Sequence, residues 1–171
     1  MKEIRNIRND DHIIKMYLNS DDEFIELDTS DSTFLTRFAD FTKWLEDIDA
    51  ELQGKADEAE KKFEGRPMFE QDEDGEVTSF DTEQFMLLTD IWTDSCRRCV
   101  ERLETLFGAG VCRKYFKKSY EINPDFVPNE DEINELIEAL SDVVLKAFGA
   151  RKEQIGKKYN KGRKGRRKTN E

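Results

Sequence analysis

Between Phe85 and Leu106 the apolar residues Phe85, Leu88, Trp92, Cys96, Cys99, Leu103 and Leu106 advance by three or four positions at a time. That spacing places them on one face of a helix, with Ile91, Val100 and Phe107 widening the stripe. An apolar face of this length must be covered by other elements, so the chain is committed to helix-on-helix packing. The helix is expected to open at Asp81 or Thr82, with Glu83 and Gln84 in its first turn, and to close at Phe107.

A second stripe precedes it. Phe34, Leu35, Phe38, Phe41, Leu45, Ile48 and Leu52, broadened by Trp44, predict a helix from about Ser32 to Phe63, capped by Ser30 or Asp31. Ahead of that, "IIKMYL" and "EFIELDT" are β-branched and aromatic runs separated by "NSDD", which suits a β-hairpin over 13–29. Alternation sets Phe24, Glu26 and Asp28 on one face and Ile25, Leu27 and Thr29 on the other, which suits a ribbon with one side covered. An isolated ribbon is marginal in water, so this one must lie on the helices or on another chain. The stretch from Glu64 to Phe80 holds a proline, two glycines and a run of acids, and reads as an acidic loop. Its "DEDG" lacks the ligand spacing of a calcium loop.

The segment "TLFGAGVCRKYFKK" sets Gly108 and Gly110 around Ala109. Phosphate-cradling glycines are delivered by a strand to the start of a helix, whose free N–H groups then face the anion. Here the glycines follow a helix instead. Gly108 therefore reads as a left-handed C-cap and Gly110 as the start of a short helix "VCRKYFKK", a helix-to-helix corner. After Pro124 and Pro128, Asn129 with Glu132 resembles a capping box, and Ile133, Leu136, Ile137, Leu140, Val143, Val144 and Phe148 form a last apolar face, stopped at Gly149.

The three cysteines are Cys96, Cys99 and Cys112, an odd number in a chain with no secretion signal, so reduced thiols are expected. Cys96 and Cys99 sit on the apolar stripe, where small apolar side chains are wanted. Half of a zinc site, completed by Cys112 and the sole histidine, His12, is the competing reading, but no second close-spaced pair is present. No metal and no cofactor are expected. No nucleophile–base constellation can be traced around that histidine, so the chain reads as a non-enzyme.

Charge divides the chain in two. From Arg151 to Glu171 there are ten Lys or Arg against Glu153 and Glu171, a net of plus 8, while the other 150 of the 171 residues carry 18 basic and 37 acidic side chains, a net of minus 19. The expected organisation is one acidic helical domain over 1–150 and a basic tail over 151–171 that is disordered when free. The fold class is mainly α with a small N-terminal β-hairpin (α+β): two long helices with shorter C-terminal ones. No apolar run reaches the roughly 20 residues that span a bilayer, so no membrane role and a cytoplasmic location are expected. Nucleic acid enters only through the tail, whose cations could grip phosphates; an acidic protein surface, including another copy, is the other partner for it. Homo-oligomers are compatible with that pairing.

The order of short ribbon, long helix, acidic insert, second long helix ending in "LFGAGVCRKYF", then "NPDFVPNEDEINELIEAL", resembles the tail assembly chaperones of long-tailed, siphovirus-type phages of Gram-positive bacteria. Phe107, Gly108, Gly110, Lys114 and Phe116 fit a motif of that family, although Ala109 stands where an acidic residue is expected. The resemblance implies a non-enzymatic protein of the host bacterial cytoplasm. It would bind and solubilise the tape-measure protein and recruit tail-tube subunits. Phe34, Phe38 and Phe41, with those five motif residues, are then the candidate partner-binding positions, unless the three phenylalanines pack against Trp92 and Leu103. The alternative from the minus 19 body is an acidic DNA mimic, a counter-defence inhibitor that occupies the cleft of a host nucleic-acid-binding protein.

Overall fold

A computed structural model describes residues 10–19, 23–108 and 110–166, with side chains from Asp11 to Gly149. It is mainly helical, with two antiparallel hairpins: β1 (Ile13–Tyr17) with β2 (Phe24–Asp28), and β3 (Phe69–Gln71) with β4 (Val77–Phe80). The helices are α1 (Phe34–Lys62), α2 (Thr82–Phe107), α3 (Val111–Tyr115), α4 (Lys117–Ile122) and α5 (Glu130–Arg166).

The first hairpin forms where the alternation of side chains predicts. Ile14 faces Leu27 and Met16 faces Ile25 across the ladder. Met16, Leu18, Ile25, Leu27 and Thr29 are buried, so one face of the ribbon is committed to the core. Its open end is closed by the Thr29 N–H and hydroxyl, both donating to the His12 carbonyl at 2.8 and 2.7 Å.

α1 and α2 run antiparallel. Phe34 meets Phe107 at one end, the Arg102 guanidinium lies 4.8 Å from the Trp44 ring, Arg98 pairs with Glu51, and Lys62 pairs with Glu83 at the other end. α5 lies across both and runs antiparallel to α1. Ile133 near its start shares a groove with Ile48 and Leu52, and Phe148 stacks on Phe34 at 5.5 Å. One buried cluster joins β1, β2, α1, α2, α3 and α5, with Leu103, Val111 and Val144 fully enclosed.

Several expectations need correction. The acidic stretch from Glu64 to Phe80 is a hairpin: the Asp72 carboxylate accepts from the N–H groups of Asp74 and Glu76, Gly75 takes φ +80°, and the turn so made pairs Phe69 with Phe80. α1 is preceded by Thr33, whose N–H and hydroxyl both donate to Asp31, so Asp31 builds an Asx turn ahead of the helix and makes no N-cap bond. The expected helix "VCRKYFKK" breaks at Phe116 into α3 and α4. The helix after Asn129 passes through Gly149 and continues to Arg166, where a stop and a disordered tail were expected. Gly149, Gly156, Gly162 and Gly165 each cost about 1 kcal/mol inside that helix, and the Ala, Arg, Lys, Glu and Gln between them are strong helix formers. Residues 167–171 of that tail lie outside the described residues.

Candidate binding surfaces

The glycine corner resolves into a closed structural joint. At Gly108 the backbone has φ 99° and ψ 165°, a region open only to glycine and distinct from the left-handed helical cap expected; Gly110 has φ 92° and ψ 4° and starts α3. The N–H groups exposed at the start of α3 do form an anion cradle, and the anion is the carboxylate of Glu104, one turn back on α2. It accepts short from the Gly110 N–H and at 3.0 Å from the Cys112 N–H. An N-terminal cradle filled by the chain's own carboxylate leaves no place for a phosphate there.

Lys114 leaves α3 toward the first hairpin and donates to the Phe24 carbonyl at 3.0 Å, while Asn19 donates to the Lys114 carbonyl at 2.6 Å. Lys117 adds an ion pair to Glu23 at 3.2 Å. Phe116 is half-buried against Tyr115 and Phe126. The Phe107, Gly108, Gly110, Lys114 and Phe116 motif thus clamps β1–β2 to the end of α2. Glu104, four residues before the first glycine of the corner, was missed in the sequence. An acid at that distance from glycines that open a helix is the signal that finds it.

Phe34, Phe38 and Phe41 are buried, Phe34 to 3% exposure, and pack with Phe107, Phe148, Trp44 and one another. They line the interior between α1, α2 and α5. Trp92 lies elsewhere, 40% exposed, so these phenylalanines share the buried cluster with Leu103 and not with Trp92.

Among the described residues, two apolar surfaces stand out as open. The first is a groove of about 320 Å³ between the middle of α1, the middle of α2 and the start of α5. Leu45, Ile48 and Leu52 form one wall, Trp92, Cys96 and Cys99 the second, Ile133 and Ile137 the third. Glu46, Asp49 and Glu130 stand at its rim. Burial pushes the Cys99 thiol up to about 11, and raises Cys96 as well, so both stay protonated and act as apolar lining. Cys112, buried under the corner, is pushed up to about 12 by the same cause. All three thiols are free. Among the described residues no group of three or more His, Cys, Asp or Glu is placed to hold a metal ion.

The second surface is the ribbon β3–β4, exposed at every position, with Phe69, Val77 and Phe80 open to solvent. Phe85 on α2 meets Phe80 edge-on at 5.3 Å, and Met86 beside it is also exposed. The base of the ribbon is fixed by Asp81, whose N–H donates to the Met68 carbonyl at 2.8 Å and whose carboxylate pairs with Arg66 at 2.5 Å.

Among the described residues no helix is long and apolar enough to cross a membrane. No protein-family description, no curated protein and no solved structure matches this chain.

Proposed function

We propose that this chain works by binding, as a holder of amphipathic helices, and that its client is the phage tape-measure protein, as the tail assembly chaperone resemblance implies. The observation that carries the reading is the groove between α1, α2 and α5. Trp92 is left 40% exposed beside Leu45, Leu52 and Ile137, where three helices converge on one apolar groove. A large aromatic on a helix face is covered by a partner more cheaply than by water, and three helix walls offer the width that one incoming helix fills. The rim acids Glu46, Asp49 and Glu130 favour a client helix whose apolar ridge is flanked by Lys or Arg. The rest of the acidic surface keeps a loaded holder dispersed through like-charge repulsion.

The test is co-expression with a tape-measure fragment, comparing the native chain with Trp92→Ala and Leu52→Glu. Rescue of the fragment's solubility by the native chain, lost in both variants while their helical circular dichroism is kept, supports the reading. Equal rescue by Leu52→Glu removes the groove from it. Displacement of DNA from a host nuclease, without any effect on the fragment, moves the assignment to the acidic mimic.

A further inference from the structure

The ribbon β3–β4 and the carboxyl-terminal part of α5 lie at opposite ends of the molecule and carry opposite charge. Between Glu64 and Glu83 there are eight acids (Glu64, Glu70, Asp72, Glu73, Asp74, Glu76, Asp81 and Glu83) against Arg66 alone. Between Arg151 and Arg166, all within α5, there are eight Lys or Arg against Glu153. The two segments therefore carry minus 7 and plus 7.

Topology keeps them apart within one chain. The ribbon joins the end of α1 to the start of α2, beside the Lys62–Glu83 pair. α5 runs the other way, passes Phe34 at the level of Phe148, and continues to Arg166. At 1.5 Å per helical residue, α1 puts roughly 42 Å between Phe34 and the ribbon, and α5 adds roughly 27 Å beyond Phe148 on the far side. Exposed charges that far apart do not feel each other, since the screening length is about 8–10 Å at physiological salt.

We infer that the two ends meet between copies: the basic end of α5 of one copy docks on the β3–β4 ribbon of the next. Three features of the ribbon fit that occupant. Its exposed Phe69, Val77 and Phe80 offer apolar cover for the stems of long basic side chains. At its base a polar cleft is lined by the acceptors Asp57, Glu60, Glu64 and Gln84 together with Lys61 and Arg66, the latter already paired with Asp81 and Glu83. Within it, the Gln84 Oε1 oxygen is buried without a hydrogen-bond partner among the described residues, an acceptor that an ammonium or guanidinium donor would satisfy. Docking unlike ends is a heterologous contact, so each copy keeps one end free and assembly runs on as a chain or closes as a ring. This surface is distinct from the groove between α1, α2 and α5, and the inference stands whether or not that groove holds a client.

The experiment is sedimentation equilibrium of the full chain at 50 and 500 mM NaCl, with charge-reversed variants at either end. The native chain is expected to rise above its 20.1 kDa monomer mass with concentration at low salt, and to weaken by about tenfold or more at high salt. Glu73→Lys/Asp74→Lys/Glu76→Lys and Lys157→Glu/Lys158→Glu/Lys161→Glu are each expected to stay monomeric. An equimolar mixture of the two is expected to associate again, because each bears the complement of the other's reversed end. A native chain that is monomeric at 50 mM NaCl overturns the inference, and so does association that survives either reversal. Self-association that appears only when a DNA or RNA oligonucleotide is added also overturns it, and assigns the basic end to phosphates.

Discussion

The chain contains two hairpins of similar size with opposite fates. β1–β2 turns Met16, Ile25 and Leu27 into the core and is clamped from outside by Lys114 and Lys117, whereas β3–β4 is exposed at every position and touches the body only at its base. A ribbon becomes structural when one face has a stripe to lie on. β1–β2 shares one buried cluster with apolar side chains of α1, α2, α3 and α5, while the residues of β3 and β4, between the end of α1 and the start of α2, are exposed at every position. What keeps β3–β4 folded is local: the Asp72 turn, the Phe69–Phe80 cross-strand pair and the Asp81 anchor. One ribbon serves stability and the other is left over for contact.

The largest effect that separates them is in the covered ribbon. Leu27→Ala removes a side chain only 4% exposed, and is expected to cost about 2–4 kcal/mol of unfolding free energy, read as a fall in the urea midpoint at unchanged slope. A loss below about 1 kcal/mol would mean that β1–β2 rests on the body as loosely as β3–β4 does.

The clamp comes next. Glu104→Ala leaves the Gly110 and Cys112 N–H groups without their acceptor at a half-buried joint, and is expected to cost about 1–3 kcal/mol. The same variant opens the cradle at the start of α3, so added sulfate should recover part of the loss in Glu104→Ala and leave the native chain unchanged. Sulfate that stabilises both chains equally would show that the carboxylate does not fill the cradle.

How much of this contrast the sequence carried depends on the element. The first hairpin was legible because its apolar residues alternate cleanly, and α1 and α2 were legible from their stripes to within about two residues at each end, whereas α5, the longest helix, runs well past the stop expected at Gly149. The α2 stripe was over-read at its start: Cys96, Leu103 and Leu106 are buried, but Phe85 and Trp92 on the same face are largely exposed. Periodicity shows that a face is apolar, never that the fold supplies something to cover it. The second hairpin was hidden by its acids, which read as a solvated loop, although "DEDG" already held the Asp72 acceptor and the Gly75 turn. Glycines alone could not distinguish an empty anion cradle from a filled one, because the answer lay in Glu104, on the helix before them.

Thiol chemistry reports on the covered side more gently. Burial raises Cys112 to about 12 and Cys99 to about 11 from an ordinary value of 9.0, which favours the protonated form in the folded chain. In the unfolded chain these thiols ionise from pH 9 upward, while the folded chain keeps its protons until near pH 11–12. The unfolded state therefore binds fewer protons across that window, and stability is expected to fall as pH rises from about 9. Replacing Cys112 by Ala should flatten this decline. A decline of the same slope in Cys112→Ala would place its cause in other groups. At pH 8 iodoacetamide should label all three thiols slowly, with Cys112 slowest.

The smallest effect is the one on which the contrast turns. Phe80→Ala deletes a cross-strand partner of Phe69 and the edge contact to Phe85, a pair worth about 0.2–1 kcal/mol on a ribbon surface. Because the body does not depend on β3–β4, that loss should appear as local opening. Amide exchange at Phe69, Glu70 and Thr78 should quicken several-fold, while amides in α2 between Cys96 and Phe107 keep their native rates and the global urea midpoint hardly moves. If Phe80→Ala instead lowers the midpoint as far as Leu27→Ala does, the two ribbons are equally structural, and the open one has no spare surface to offer a second copy.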